Sequence, residues 1–140
     1  MAILLDASAI LAAADTADLN HEAARAWFSR VDEPLLIGAL TLAEADHVLQ
    51  RELGPAASLA LVDACTSGAV RLVAPTDGDL ERAAVLLRAA AEHGPRLSDA
   101  LLISAAERLG VRRVATFDRR PLAVLVPRGP HGERLLDLEP

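Results

Sequence analysis

A three-layer αβα domain around a mostly parallel central sheet of four or five strands is the fold class this sequence predicts. Short apolar runs, too brief for helices and apolar on both faces, recur along the chain. Between them lie longer segments whose apolar residues return at helical spacing, which is the pattern of βαβ units with helices on both faces of a sheet. With 52% hydrophobic and 24% charged side chains, residues 1–140 read as one domain with a core of its own.

The elements follow in order. Residues 2–5 form a buried strand that ends at Asp6. Asn20 is placed to cap a helix whose Ala24, Trp27, Phe28 and Val31 share a face, and Pro34 stops it. Residues 35–40 read as a second strand. Thr41 begins a helix with Leu42, Ala45, Leu49 and Leu53 inside, closed by Gly54-Pro55, and residues 56–67 continue as an Ala/Leu-rich helix to Gly68. Residues 70–74 are a third strand. Asp77 can cap a helix in which Leu80, Ala84, Leu87 and Ala91 line up, before Gly94-Pro95 ends it. Ser98 opens a helix through Leu109, apolar nearly all round and therefore buried, with Gly110 as its stop. Residues 114–117 are a fourth strand ending at Asp118. In the Pro- and Gly-rich tail, residues 123–126 are the candidate for a last edge strand.

Composition narrows the function. Twenty acidic against fourteen basic residues give a net charge of −6, which argues against a protein held on nucleic acid or membrane by bulk charge. The imbalance is uneven: six Arg against fourteen carboxylates in residues 1–94, eight Arg against six in residues 95–140. An anionic ligand is better tolerated in the last third. The only aromatics are Trp27, Phe28 and Phe117, too few for a base-stacking platform. The longest uncharged stretches reach half a membrane span and no basic segment precedes the first apolar run, so a soluble cytoplasmic protein is expected. One cysteine, Cys65, rules out an internal disulfide and a thiolate metal cluster. No metal-ligand spacing links His21, His47, His93 and His131. The esterase, dinucleotide-binding and P-loop signatures are absent.

Four carboxylates remain. In an open parallel sheet the ligand crevice lies beyond the carboxyl ends of the strands, and Asp6 and Asp118 each follow a buried strand. Asp99 falls in the first turn of the buried helix before the fourth strand, and Glu44 in the first turn of the helix after the second. Each also has a structural explanation: the macrodipole for Asp99, a Thr41–Glu44 capping box, and turn chemistry for Asp6 and Asp118. Those explanations leave unexplained why all four should occupy one rim. If they converge, their repulsion demands a divalent cation or raised pKa values, and an oxygen-only ligand set favours Mg²⁺ or Mn²⁺ over zinc. Arg119 and Arg120 directly follow Asp118, where a guanidinium fork suits a phosphate.

The segments Leu4-Leu5-Asp6-Ala7-Ser8, Thr41-Leu42-Ala43-Glu44, Leu97-Ser98-Asp99-Ala100 and Ala115-Thr116-Phe117-Asp118-Arg119-Arg120 resemble, in order and spacing, the acidic motifs of PIN-domain ribonucleases, in particular VapC toxins of toxin–antitoxin pairs. The resemblance implies Mg²⁺-dependent RNA cleavage by Asp6, Glu44, Asp99 and Asp118, with Asp6 and Asp99 holding the metal directly. Glu44 and Asp118 would order its waters or a second ion. It places Ser8 and Thr116 as hydroxyls beside the metal, with Arg119 and Arg120 toward the substrate, and implies a homodimer inhibited by a small antitoxin. Pro121-Leu122 departs from the His-Phe often found after the Arg pair. Two other readings stay open: a catalytically silent binding module, and a phosphohydrolase of the haloacid-dehalogenase type, which wants a second Asp where this chain has Ser8.

Overall fold

The computed structural model describes residues 1–131 and 136–140. Five short strands, β1 Ile3–Leu5, β2 Leu35–Gly38, β3 Val70–Val73, β4 Arg113–Ala115 and β5 Asp137–Glu139, form one sheet in the order β3-β2-β1-β4-β5. Every pairing is parallel. Seven α-helices connect them among the described residues: α1 Ala7–Ala14, α2 His21–Arg30, α3 Ala39–Leu53, α4 Pro55–Thr66, α5 Asp77–Ala89, α6 Leu97–Leu109 and α7 Arg119–Ala123.

The two-residue period of the strands divides the core. Ile3, Leu5, Ile37 and Ala115 face α1 to α4, with Ala9, Ile10, Ala45, Leu49 and Leu61 packed on them. Leu4, Leu36 and Val114 face the other way, onto α5, α6 and α7 through Ala83, Leu86, Ile103, Ala106 and Leu122. This is the expected αβα sandwich. Since β1 to β3 build outward in one direction and β4 to β5 in the other, the order reverses between β1 and β4. The crevice at their carboxyl ends is where such sheets bind ligands.

Several boundaries differ from the sequence reading. Strand β2 stops at Gly38 and α3 starts two residues before Thr41, so the Thr41–Glu44 capping box does not form and Thr41 is instead buried. Helix α5 is capped by Thr76, not Asp77, through a capping box with Asp79. Helix α6 starts at Leu97 with Arg96 as its N-cap, which frees Ser98 from that role. Its other end is as expected: Gly110 takes the left-handed conformation (φ 66°) while Val111 and Gly110 donate their N–H groups to the carbonyls of Ala106 and Glu107.

No edge strand forms at residues 123–126. Leu122, Leu125 and Val126 are buried at helical i, i+3, i+4 spacing, and α7 runs into a turn in which the Leu125 and Val126 N–H groups donate to the Leu122 carbonyl. The edge strand is β5. Arg113 on β4 holds it, its Nε and Nη2 donating to the two Glu139 carboxylate oxygens at 2.9 and 2.8 Å, with Glu33 on its remaining nitrogen. Gly132, which belongs to the Pro- and Gly-rich tail, lies outside the described residues.

Candidate active site

Asp6 follows β1 directly at the crevice and is only 8% exposed. It stands at the N-cap of α1 yet its side chain caps nothing. Two hydroxyls occupy it instead: Ser8 Oγ and Thr116 Oγ1 each donate to Asp6 Oδ2 at 2.7 Å. Each hydroxyl in turn accepts a backbone N–H, Ser8 from Phe117 at 2.9 Å and Thr116 from Asp118 at 3.0 Å. The loop after β4 is thereby fastened to the end of β1, and the Asp6 carboxylate is set in one orientation. Both hydroxyls donate to Asp6, so Ser8 and Thr116 position that acid.

Asp99 lies in the first turn of α6 and is 3% exposed. Burial pushes its carboxyl above the usual aspartate range; Arg96 pulls it back and the nearby charge of Asp6 pushes it up further. Glu44 reaches the same place from α3. Arg96 joins them, with its Nη1 2.7 Å from Glu44 Oε1 and its Nε 3.4 Å from Asp99 Oδ2. Desolvation works against the Arg96 charge, but Asp99, Glu44 and Asp6 together outweigh it and hold the guanidinium more firmly protonated than usual. Three of the four acids therefore share one electrostatic site, and the positive charge their proximity demands comes from Arg96.

Asp118 stands apart. It is exposed at the N-cap of α7, tied to the others only through its backbone N–H on Thr116. Among the described residues, no three His, Cys, Asp or Glu side chains are grouped so as to hold a metal ion as they stand. Of the two arginines expected to face substrate, Arg119 donates to the Pro140 carbonyl. Arg120 lines a cavity of about 390 Å³ beside Asp99, shared with Arg96, Pro121 and Val124. Pro121 thus belongs to the cavity wall while Leu122 is fully buried in the core. Arg96 was missed by the sequence reading, although it stands three residues before Asp99, one helical turn away.

Residues 3–125 match the family model of the PIN domain. The chain is 28% identical over 127 residues, 91% of this chain and 94% of the relative, to ribonuclease VapC26 of Mycobacterium tuberculosis. Its fold is that of VapC20 of Mycobacterium tuberculosis, a toxin that cleaves the sarcin-ricin loop, with a TM-score of 0.80 at 23% identity over 86% of this chain and 93% of that one. It is also that of a chain in the crystal structure of VapBC2 of Rickettsia felis bound to a promoter DNA fragment, with a TM-score of 0.69 at 14% identity over 99% and 98% of the two chains. With the acid pair at the β1/β4 switch point and a family match spanning most of its length, the chain belongs to the PIN-domain family.

Proposed function

We propose that the chain acts as a single-domain VapC-type toxin, a cytoplasmic metal-dependent endoribonuclease that hydrolyses RNA phosphodiester bonds and is silenced by a small antitoxin protein. The observation that carries this reading is the burial of Asp6 and Asp99 side by side at the switch-point crevice, brought there from opposite parts of the sequence. Buried like charges set side by side destabilise a fold, and sites of this kind are where catalytic groups are tuned.

PIN-domain ribonucleases are generally dependent on a divalent metal. The donor set fits one: carboxylates with hydroxyl support are hard oxygen ligands suited to Mg²⁺ or Mn²⁺. Asp6 and Asp99 would hold the ion with Glu44 beside it, and Asp118, exposed at the N-cap of α7, would act from the rim on its waters. When bound, a divalent cation supplies Lewis acidity, lowering the pKa of water and neutralising the phosphate. Ser8 and Thr116 keep Asp6 from rotating, so the site is preorganised. Arg96 and Arg120 offset the charge of the RNA backbone where it passes the acids.

The antitoxin has a surface to cover. A groove of about 340 Å³ between α1, α2 and α4 is lined by Ile10, Ala14, Phe28, Ala57, Ala60 and Ala64, small enough side chains for an apolar helix to lie close. Trp27 and Phe28, both half-buried, meet edge-to-face at 4.9 Å beside it. A homodimer is the expected assembly. No described helix is long and apolar enough to cross a membrane.

Antitoxin-free protein is expected to cleave RNA with Mg²⁺ or Mn²⁺ and to stop in EDTA, and Asp6→Asn to lose cleavage while its melting transition persists. The ion pairs of Arg96 favour the rival reading, a silent binding module whose acids are already satisfied. Equal cleavage in EDTA, or by Asp6→Asn, would establish that the acids are not the catalysts.

A further inference from the structure

We propose that the cavity between the turn preceding α6 and helix α7 is a subsite for one nucleotide of the RNA, the one adjoining the bond to be cut. The proposal rests on the ribonuclease reading above and deepens it. At about 390 Å³ the cavity is within the range of small-ligand sites, roughly 300–1,000 Å³. It shares a wall with the acid site, because Asp99 lines both. A group seated in it is therefore next to whatever lies against Asp6 and Asp99.

The chemistry of the lining is that of a nucleotide pocket and not of a metal site. His93, Arg96 and Arg120 line it, all three exposed; Arg96 is already paired with Asp99 and Glu44, whereas Arg120 has no carboxylate partner among the described residues. Arg120 is therefore the cation left to meet an anion there, in a molecule whose net charge is −6. Arg96 and Arg120 come from different elements, α6's N-cap and α7, and Arg120 brings a guanidinium fork suited to a phosphate into the cavity that Arg96 and Asp99 share with the acid site. The same lining carries apolar surface, Pro121 and Val124, the latter 41% exposed at the end of α7. Apolar surface in one cavity with a guanidinium and an imidazole is what an unstacked base needs, since single-stranded RNA is read by splaying bases onto aromatic or Arg planes.

Residue 121 then sets which base fits. Leu122 is committed to the core, and proline at 121 gives the wall a flat, rigid face with no N–H to offer the base. Base choice at this position is accordingly made by shape and by His93 and the two arginines.

The test uses the full-length protein with a random-sequence RNA pool and Mn²⁺, sequencing the cut ends. Wild type is expected to show a base preference at one position adjoining the cut. Val124→Trp, which fills the cavity from an exposed site, should change that preference about tenfold while other positions keep theirs. Pro121→His, a second change to the same wall, guards against a Val124→Trp that fails to fold. Independently of cleavage, millimolar nucleoside monophosphates in EDTA should move the His93 imidazole resonances of wild type and leave those of Val124→Trp in place. Base profiles identical to wild type in both variants, or His93 resonances indifferent to the nucleotides, overturn the subsite while leaving the ribonuclease reading intact. A wild type that cuts no RNA overturns that reading and the subsite with it.

Discussion

Asp99 carries a penalty that a measurement can expose. Its carboxyl is raised by burial first and by Asp6 in addition, so the folded chain binds that proton more tightly than the unfolded chain does. The stability this contributes is complete below the unfolded aspartate pKa, about 3.9, and is lost as pH rises through the folded value. At pH 7 in EDTA, ionised Asp99 therefore opposes folding, and Asp99→Asn is expected to melt above wild type, the gain vanishing toward pH 4. Mg²⁺ at a hundredfold excess over its dissociation constant should add about 2.7 kcal/mol to wild type and little to the variant, measured by urea unfolding. Thr116→Val keeps the shape of the side chain but removes both the donor to Asp6 and the acceptor of the Asp118 N–H. Cleavage is expected to fall about 10- to 100-fold, as for other residues that orient a metal ligand, alongside a loss of about 1–3 kcal/mol of stability from the unsatisfied Asp6 carboxylate and Asp118 N–H. Asp6, Asp99 and Asp118 were legible because they stand at strand ends and helix starts, where backbone geometry makes a side chain's destination predictable, whereas Glu44, expected in a first turn, lies in the second turn of α3 because that helix begins at Ala39. Arg96 was not, because a long flexible side chain can reach many places and only the assembled fold shows which carboxylates are within its radius.

Helices α5 and α6 are locked by another acid with the opposite sign. Asp79, 3% exposed, accepts Nε and Nη2 of Arg108 at 2.8 and 2.9 Å and closes the capping box with Thr76. The Arg108 hydrogen bonds hold its carboxyl below the usual range against the cost of burial. Stability from this acid is present above the unfolded pKa and is lost as pH falls through the folded one. Arg108→Met is expected to cost about 2 kcal/mol at pH 7, a figure kept low because Arg108 is partly exposed, and the difference should narrow on acidification. Elements with a strong period were readable: β1, β2, β3 and β4 as apolar runs, α5 and α6 as helical stripes. The last strand was not. At residues 123–126 an apolar cluster was mistaken for a strand although its spacing, read from Leu122, is helical, while β5 is three residues of Asp, Leu and Glu with no apolar run. Its place is decided by Arg113, a partner 26 residues away for Glu139.

For the molecule as a whole, the sheet order accounts for the division of labour. The β1/β4 switch point presents the acids at one rim, and the arginine-rich last third adjoins it, so an acidic chain keeps its cations where a polyanion meets it. The apolar groove on the α1, α2 and α4 side is a separate surface. Co-expression with the protein encoded beside it is expected to give a complex that no longer cleaves RNA, and Ala60→Glu, a charge introduced into that groove, should abolish the complex on size-exclusion chromatography. The hydrogen bond from Thr116 to Asp6 closes a span of 110 residues, so no cleaving centre exists in a partly made chain. The groove needs only residues up to Val70. During synthesis from the N-terminus, every residue lining the groove proposed for the antitoxin has thus emerged some forty-odd residues before Thr116, by the ~5–20 residues per second of translation a lead of a few seconds. On that proposal, a cell making both proteins together would have that interval in which to restrain the enzyme before it can cut.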